Sequence, residues 1–163
     1  MEVATRKENE QLQKTTIPSL RTATRSWYFL DLKDKVGGKF APKIAEILRG
    51  KNKKDFMPNS DLGDYVVLVN AKHINFTGNN KLDNEFYYNH SGYPGGLRKR
   101  STRLMLEEYP QELVFRIIKG MMPHTKLGDK QLKRLFVFAD EKLTKRNKTI
   151  LQAQEKSFIK IEL

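Results

Sequence analysis

Three histidines, His73, His90 and His124, and the acid pair Asp61 and Asp64 are the side chains in this chain with the most obvious capacity for chemistry. The histidines stand singly and there is no cysteine, so thiolate metal sites, cysteine nucleophiles and disulfides are excluded, and no zinc-ligand spacing exists. Asp61 and Asp64 have no third acid or histidine near them in sequence, so they are expected to cap turns rather than hold a metal or move a proton. His90 lies among Tyr87, Tyr88, Asn89 and Ser91, which suits hydrogen bonding or stacking; a nucleophilic triad would need a serine elbow and a positioned acid, and neither motif is present. Gly37-Gly38-Lys39 invites a phosphate-loop reading, but the first glycine of that loop is missing and Phe40 stands where a hydroxyl would ligate magnesium. The residues predict no enzyme, no metal site and no cofactor.

What remains is recognition of a polyanion. The chain carries 31 Lys and Arg against 19 acidic residues, a net charge of +12, and such an excess points to nucleic acid. Residues 95–163 hold 16 of the 31 basic residues but only 8 of the 19 acids, so the charge is concentrated in the second half. Five groups form the predicted RNA-binding set. Lys39, Lys43, Arg49, Lys51, Lys53 and Lys54 lie on and after a first helix. Tyr88, His90, Ser91, Gly92, Tyr93, Gly95 and Gly96 lie in an aromatic, glycine-rich stretch, with Arg98, Lys99 and Arg100 directly behind it. Arg116 and Lys119 share a later helix, and His124, Lys126, Lys130, Lys133 and Arg134 follow. Separate basic clusters with aromatics between them fit a large folded RNA better than one DNA groove, and no helix-turn-helix, zinc-finger or RNP-type pattern is visible. Recognition through phosphates and shape follows, with steep salt dependence, and the glycines would let backbone amides approach the RNA.

The elements that must position these groups are readable from hydrophobic pattern. Trp27-Tyr28-Phe29-Leu30, ending at Asp31, reads as the first strand, and Lys39 to Arg49 as a helix with Phe40, Ile44, Ile47 and Leu48 on one face, Pro42 in its first turn and Gly50 as its stop. Tyr65 to Val69 is an unbroken apolar run, the pattern of a strand buried on both faces. Asn70 to His73 predicts a short turn or helix, and Phe86 to Gly96 an exposed contact loop. Ser101 to Glu108 reads as a short helix with Leu104 and Leu106 candidates for burial, and Pro110 opens a clearer helix whose stripe is Leu113, Val114, Ile117 and Ile118 and whose stop is Gly120. A short helix near Asp129 to Arg134, a strand from Leu135 to Phe138 and a docking strand at Phe158 to Ile161 complete the order. Residues 1–26 read as an extended arm, either a free tail or one that orders on a partner, 27–138 as one α/β domain, and 139–163 as a basic C-terminal extension. No apolar run reaches the roughly 18 residues of a membrane span, and the N-terminal residues show no hydrophobic signal core.

Gly63-Asp64-Tyr65-Val66-Val67, Asn70-Ala71, Phe76-Thr77-Gly78-Asn79, Tyr87-Tyr88, His90 to Leu97 and Lys119-Gly120-Met121-Met122-Pro123 together resemble the bacterial and organellar L13 (uL13) family of large-subunit ribosomal proteins, over about Trp27 to Phe138. The resemblance implies a three-layer α/β/α fold with a four-stranded, mainly parallel sheet. It also implies a non-enzymatic role binding large-subunit rRNA early in assembly, with other large-subunit proteins as neighbours, no membrane and no homo-oligomer. The alternative is a free regulatory RNA-binding protein. Three departures stand out: Val36-Gly37-Gly38-Lys39-Phe40 replaces a leucine-glycine-arginine-leucine helix entry, the N-terminal arm is long, and Asp140 to Thr149 replaces a glycine- and histidine-containing segment. They point towards a divergent, mitochondrial ribosome. The acids Glu2, Glu8 and Glu10, which a mitochondrial presequence would lack, point to a bacterial one.

Overall fold

The computed structural model describes residues 23–78, 80–140 and 158–161. Strand β1 (Trp27–Asp31) leads into helix α1 (Gly37–Arg49), then strand β2 (Tyr65–Val69) and a single 3-10 turn at Ala71–His73. A one-turn helix α2 (Lys81–Asn84) precedes strands β3 (Phe86–His90) and β4 (Leu97–Ser101), followed by helices α3 (Thr102–Glu108), α4 (Pro110–Met121) and α5 (Lys126–Leu132), and strands β5 (Leu135–Val137) and β6 (Ile159–Lys160). Four strands form one sheet in the order β5-β2-β1-β6, every pair parallel, with Trp27 opposite Tyr65, Val66 opposite Leu135 and Tyr28 opposite Ile159. The apolar run in β2 is thereby explained: a central parallel strand has no polar face, and Val66 to Val69 are all buried.

Alternation along β2 sorts the core into two. Val66 and Leu68 face the layer built from Phe40, Ile44 and Leu48 of α1, Val114 and Ile118 of α4 and Leu132 of α5. Val67 and Val69 face the opposite way, with Phe138, Trp27, Phe29, Phe136 and Phe158. Trp27 stacks on Tyr65 at 4.4 Å between ring centroids. Burying each such aliphatic side chain contributes roughly 1.5–3 kcal/mol, so this two-sided sheet is the rigid body on which everything else is mounted. The described residues supply one helical layer against the sheet, and a second one is not formed among them. The predicted N-terminal arm and C-terminal extension lie outside the described residues but for 23–26, 139–140 and 158–161.

Several local expectations are corrected. Helix α1 begins at Gly37, so Pro42 sits in its second turn rather than its first and removes one bond from an exposed face. Gly50, with φ 79°, ends the helix as expected. In α3 the buried residues are Thr102 and Met105, three apart on one face, while Leu104 lies off that face and remains 37% exposed. Helix α4 runs through Gly120 and stops at Met121, since Met122 precedes Pro123 and is driven to an extended conformation (φ −90°, ψ 150°). Helix α5 starts three residues early, at Lys126, where the Thr125 hydroxyl accepts a bond from the Gly128 amide at 3.1 Å.

Asp61 and Asp64 are not turn caps. They anchor the long α1–β2 connection from inside. The Lys53 ammonium donates to Asp64 Oδ1 at 2.6 Å and to the carbonyls of Thr24 (2.7 Å) and Leu62 (2.8 Å), and the Ser26 amide also reaches Asp64. Arg134, 5% exposed, donates to both Asp61 carboxylate oxygens, one at 2.7 Å, and to the Leu48 carbonyl. Between these pairs lies Gly63, where a Cβ would sit 1.8 Å from the Leu48 carbonyl oxygen, so no side chain fits. Lys53 and Arg134, both predicted to bind RNA, are thus committed to the interior: an ammonium with three bonds in use has no donor left for a phosphate.

Candidate nucleic-acid interface

The stretch expected to be a loop is a β-hairpin. Strands β3 and β4 pair antiparallel, Phe86 with Ser101, Tyr88 with Lys99 and His90 with Leu97 in one set of registers, Tyr87 with Arg100 and Asn89 with Arg98 in the other. Cross-strand partners share a face and neighbours alternate, so the hairpin has two unlike sides. One side turns to the body of the protein. There Arg116 of α4 donates to the Asn89 side-chain carbonyl and lies 5.8 Å from the Tyr87 ring, while Arg100 covers the Tyr109 ring at 4.6 Å. Burial raises the pKa of the Tyr87 phenol, with the Glu85 carboxylate adding to the rise and Arg116 opposing it. At the base of the hairpin, the Thr102 amide and hydroxyl both donate to the Glu85 carbonyl at 3.0 Å. An isolated two-stranded hairpin is marginal in water, and these contacts are what hold it.

The other side carries Phe86, Tyr88, His90, Leu97 and Lys99. It is open: Tyr88 is 56% and Leu97 61% exposed, and the Lys99 ammonium sits 3.6 Å above the Phe86 ring. The tip is closed by bonds from the Ser91 amide to the Gly96 carbonyl (3.2 Å) and from the Gly96 amide to the Tyr93 carbonyl (2.9 Å), and Tyr93 projects from it 75% exposed. Gly92 (φ 87°) and Gly95 (φ 73°) adopt conformations that favour glycine, and a Cβ on Gly96 would lie 2.0 Å from the Ser91 hydroxyl. The glycines are therefore required to make the turn itself. The His90 Nδ1 accepts from the Gly92 amide at 3.0 Å, so the ring braces the turn as well.

The structure brings Tyr88, His90, Ser91, Gly92, Tyr93, Gly95, Gly96, Arg98, Lys99 and Arg100 into this one hairpin and joins Arg116 to it. Lys39 and Lys43 are exposed on the outer face of α1, Lys51 and Lys54 on the connection after it, Arg49 is half-buried, and Lys119, His124, Lys126, Lys130 and Lys133 are exposed on and around α4 and α5. Lys53 and Arg134 are withdrawn, as described. Phe86 and Leu97, outside the predicted set, lie exposed on the same face as Tyr88 and His90. Their signal was the period-two spacing of Phe86, Tyr88 and His90, which marks a strand face rather than a loop.

Asp61 marks the electrostatics of the interior lock. Burial alone would raise its pKa, but the bonds and charge of Arg134, with Arg25 and Lys130 beyond, outweigh this and leave it lowered. A carboxyl depressed in the folded state contributes stability above its ordinary value, near 3.8, and loses it as pH falls through the lowered one.

The family profile described as Ribosomal protein L13 matches residues 25–144. A protein of Mycoplasmopsis synoviae named Large ribosomal subunit protein uL13 is 44% identical over 128 residues, covering 78% of this chain and 88% of that one. The protein of the same name from Thermotoga petrophila is 47% identical, covering 78% and 85%, and that from Prochlorococcus marinus is 40% identical over 144 residues, covering 87% and all of its own length.

Proposed function

The chain belongs to the ribosomal protein L13 family, and from that premise we propose that it is a structural constituent of the large ribosomal subunit whose β3–β4 hairpin grips rRNA, joining the particle early in assembly. The observation that carries this reading is the hairpin itself. It is a marginal element on its own, yet it is pinned to α3 and α4 on one side, where Arg98 still remains exposed, and presents Tyr88, His90, Leu97 and Lys99 to solvent on the other. Among the described residues, none of the hairpin's side chains belongs to either core cluster. A basic, aromatic projection on a rigid sheet suits a polyanion with both phosphates and exposed bases. The exposed lysines of α1 and α5 would add phosphate contacts around it, and other large-subunit proteins would be its neighbours. The role is structural rather than enzymatic, and the chain acts as one copy without a membrane. A free regulatory RNA-binding protein gains no support from relatives that are named as subunit proteins. Those relatives are bacterial, which favours a bacterial ribosome over the mitochondrial one.

The test is salt dependence. Arg98→Ala with Lys99→Ala removes two exposed cations, whereas Arg100 is kept because it covers Tyr109. With a large-subunit rRNA fragment, the slope of log affinity against log salt should become shallower by about 1.4–1.8, the counterions of two phosphates, with the thermal midpoint unchanged. An unchanged slope would place the phosphate contacts elsewhere.

A further inference from the structure

We infer that the outer face of the β3–β4 hairpin is a stacking platform for unpaired bases, so that the protein reads single-stranded segments of its RNA and not only the phosphates of duplex. The inference rests on the rRNA reading above and adds which part of the RNA is held.

Four observations carry it. The outer face places Phe86, Tyr88, His90 and Leu97 on one side of a two-stranded ribbon with Lys99 among them. Tyr88 and Leu97 are more than half exposed, and Tyr93 at the tip is 75% exposed, an apolar area that a soluble monomer does not usually leave open without a partner. Lys99 already rests on the Phe86 ring at 3.6 Å, so the face offers cation and π-surface together, the combination that holds a base and its phosphate at once. Finally, the turn is built to hold its shape: Gly92, Gly95, Gly96 and His90 fix the position from which Tyr93 projects, which limits the entropy lost on binding.

RNA geometry selects unpaired bases over duplex. The deep, narrow major groove of an A-form helix does not admit side chains, and paired bases hide their faces in the stack. Loops and bulges present them. A protein partner would find Lys99 on this face and the exposed Arg98 beside it on the hairpin's other side, charge that complements phosphate.

The experiment uses the full chain and two RNA probes of equal length, one single-stranded with an internal 2-aminopurine, whose fluorescence is quenched by stacking, and one fully paired. The wild-type chain should bind the single strand more tightly and quench the probe. Tyr88→Ala with Tyr93→Ala should weaken single-strand binding by about tenfold or more, since a base–aromatic stack is worth roughly 1–3 kcal/mol. It should also abolish quenching, and leave both the salt slope and the duplex affinity as they were. Tyr88→Phe with Tyr93→Phe should restore both affinity and quenching, and exposure of both rings means that neither variant should shift the thermal midpoint. Equal affinity and quenching in wild type and the alanine variant would overturn the stacking platform and leave the rRNA reading standing. Loss of binding to a neighbouring large-subunit protein in the alanine variant, with RNA affinity unchanged, would overturn it in favour of a protein partner. A wild-type chain that binds neither probe nor any large-subunit rRNA fragment would overturn the rRNA reading beneath it.

Discussion

Val67→Asp is expected to abolish cooperative unfolding of the chain. Val67 is fully buried at the centre of the parallel sheet, with Phe29 opposite it in β1 and Phe136 opposite it in β5. Its side chain lies on the face packed with Val69 and the aromatic cluster of Trp27, Phe29, Phe136 and Phe158, and Lys160, paired with Phe29 on the edge strand of that face, is exposed to solvent. Burying a carboxyl there, ionised or forced to hold its proton, costs several kcal/mol on top of the lost valine packing, comparable with the roughly 5–15 kcal/mol by which a whole domain is stable. A thermal melt followed by aromatic circular dichroism should show no transition for the variant. A sigmoidal melt near the parent temperature would mean that the strand is placed wrongly.

Arg134→Met should cost about 3 kcal/mol, the lower end of what breaking a buried ion pair costs, because the Asp61 side chain keeps a 14% exposed edge through which water can reach it. The Leu48 carbonyl loses a donor in the same step. Two further readouts separate this structural role from RNA binding. Without Arg134 the causes that lower the Asp61 pKa are reduced while burial still raises it. The variant should therefore begin to unfold at a higher pH on acidification than the parent does. Among molecules that remain folded, the salt slope of rRNA binding should not change. Pairing the variant with Asp61→Leu should recover part of the lost stability, since a buried pair removed whole leaves no charge behind. A shallower salt slope for Arg134→Met with undiminished stability would restore this arginine to the RNA-binding surface.

The internal bonds of Arg134 and Lys53 are what a sequence conceals. The strands were legible because β1, β2 and β5 are each short apolar runs, and the unbroken run of β2 suits burial on both faces; that the sheet is parallel came from the family resemblance. Helices α1 and α4 were legible because Ile44 and Leu48, or Val114 and Ile118, recur at helical spacing. Charge has no such period. Whether a lysine faces water or an aspartate depends on where the chain returns in space, and Asp61 meets Arg134 across 73 positions. The pairing that turns two aspartates from turn caps into internal anchors is thus a tertiary fact. The hairpin was misread for a different reason: Phe86 to His90 has the alternation of a strand, but its residues are exposed on both sides, so composition suggested a loop. The glycines at 92, 95 and 96, expected to let backbone amides approach RNA, have an internal use in the structure, in closing the turn. The family resemblance covered what pattern could not, and the profile match over residues 25–144 bears it out.

We propose that this chain is held in the large ribosomal subunit largely by charge. Sedimentation of a gently lysed extract through a density gradient, with the chain detected in each fraction, tests it most directly. The chain should travel with the large subunit at low salt and be stripped from it progressively as the salt is raised into the molar range. A chain that stays at the top of the gradient at every salt concentration, while other large-subunit proteins sediment, would contradict the claim.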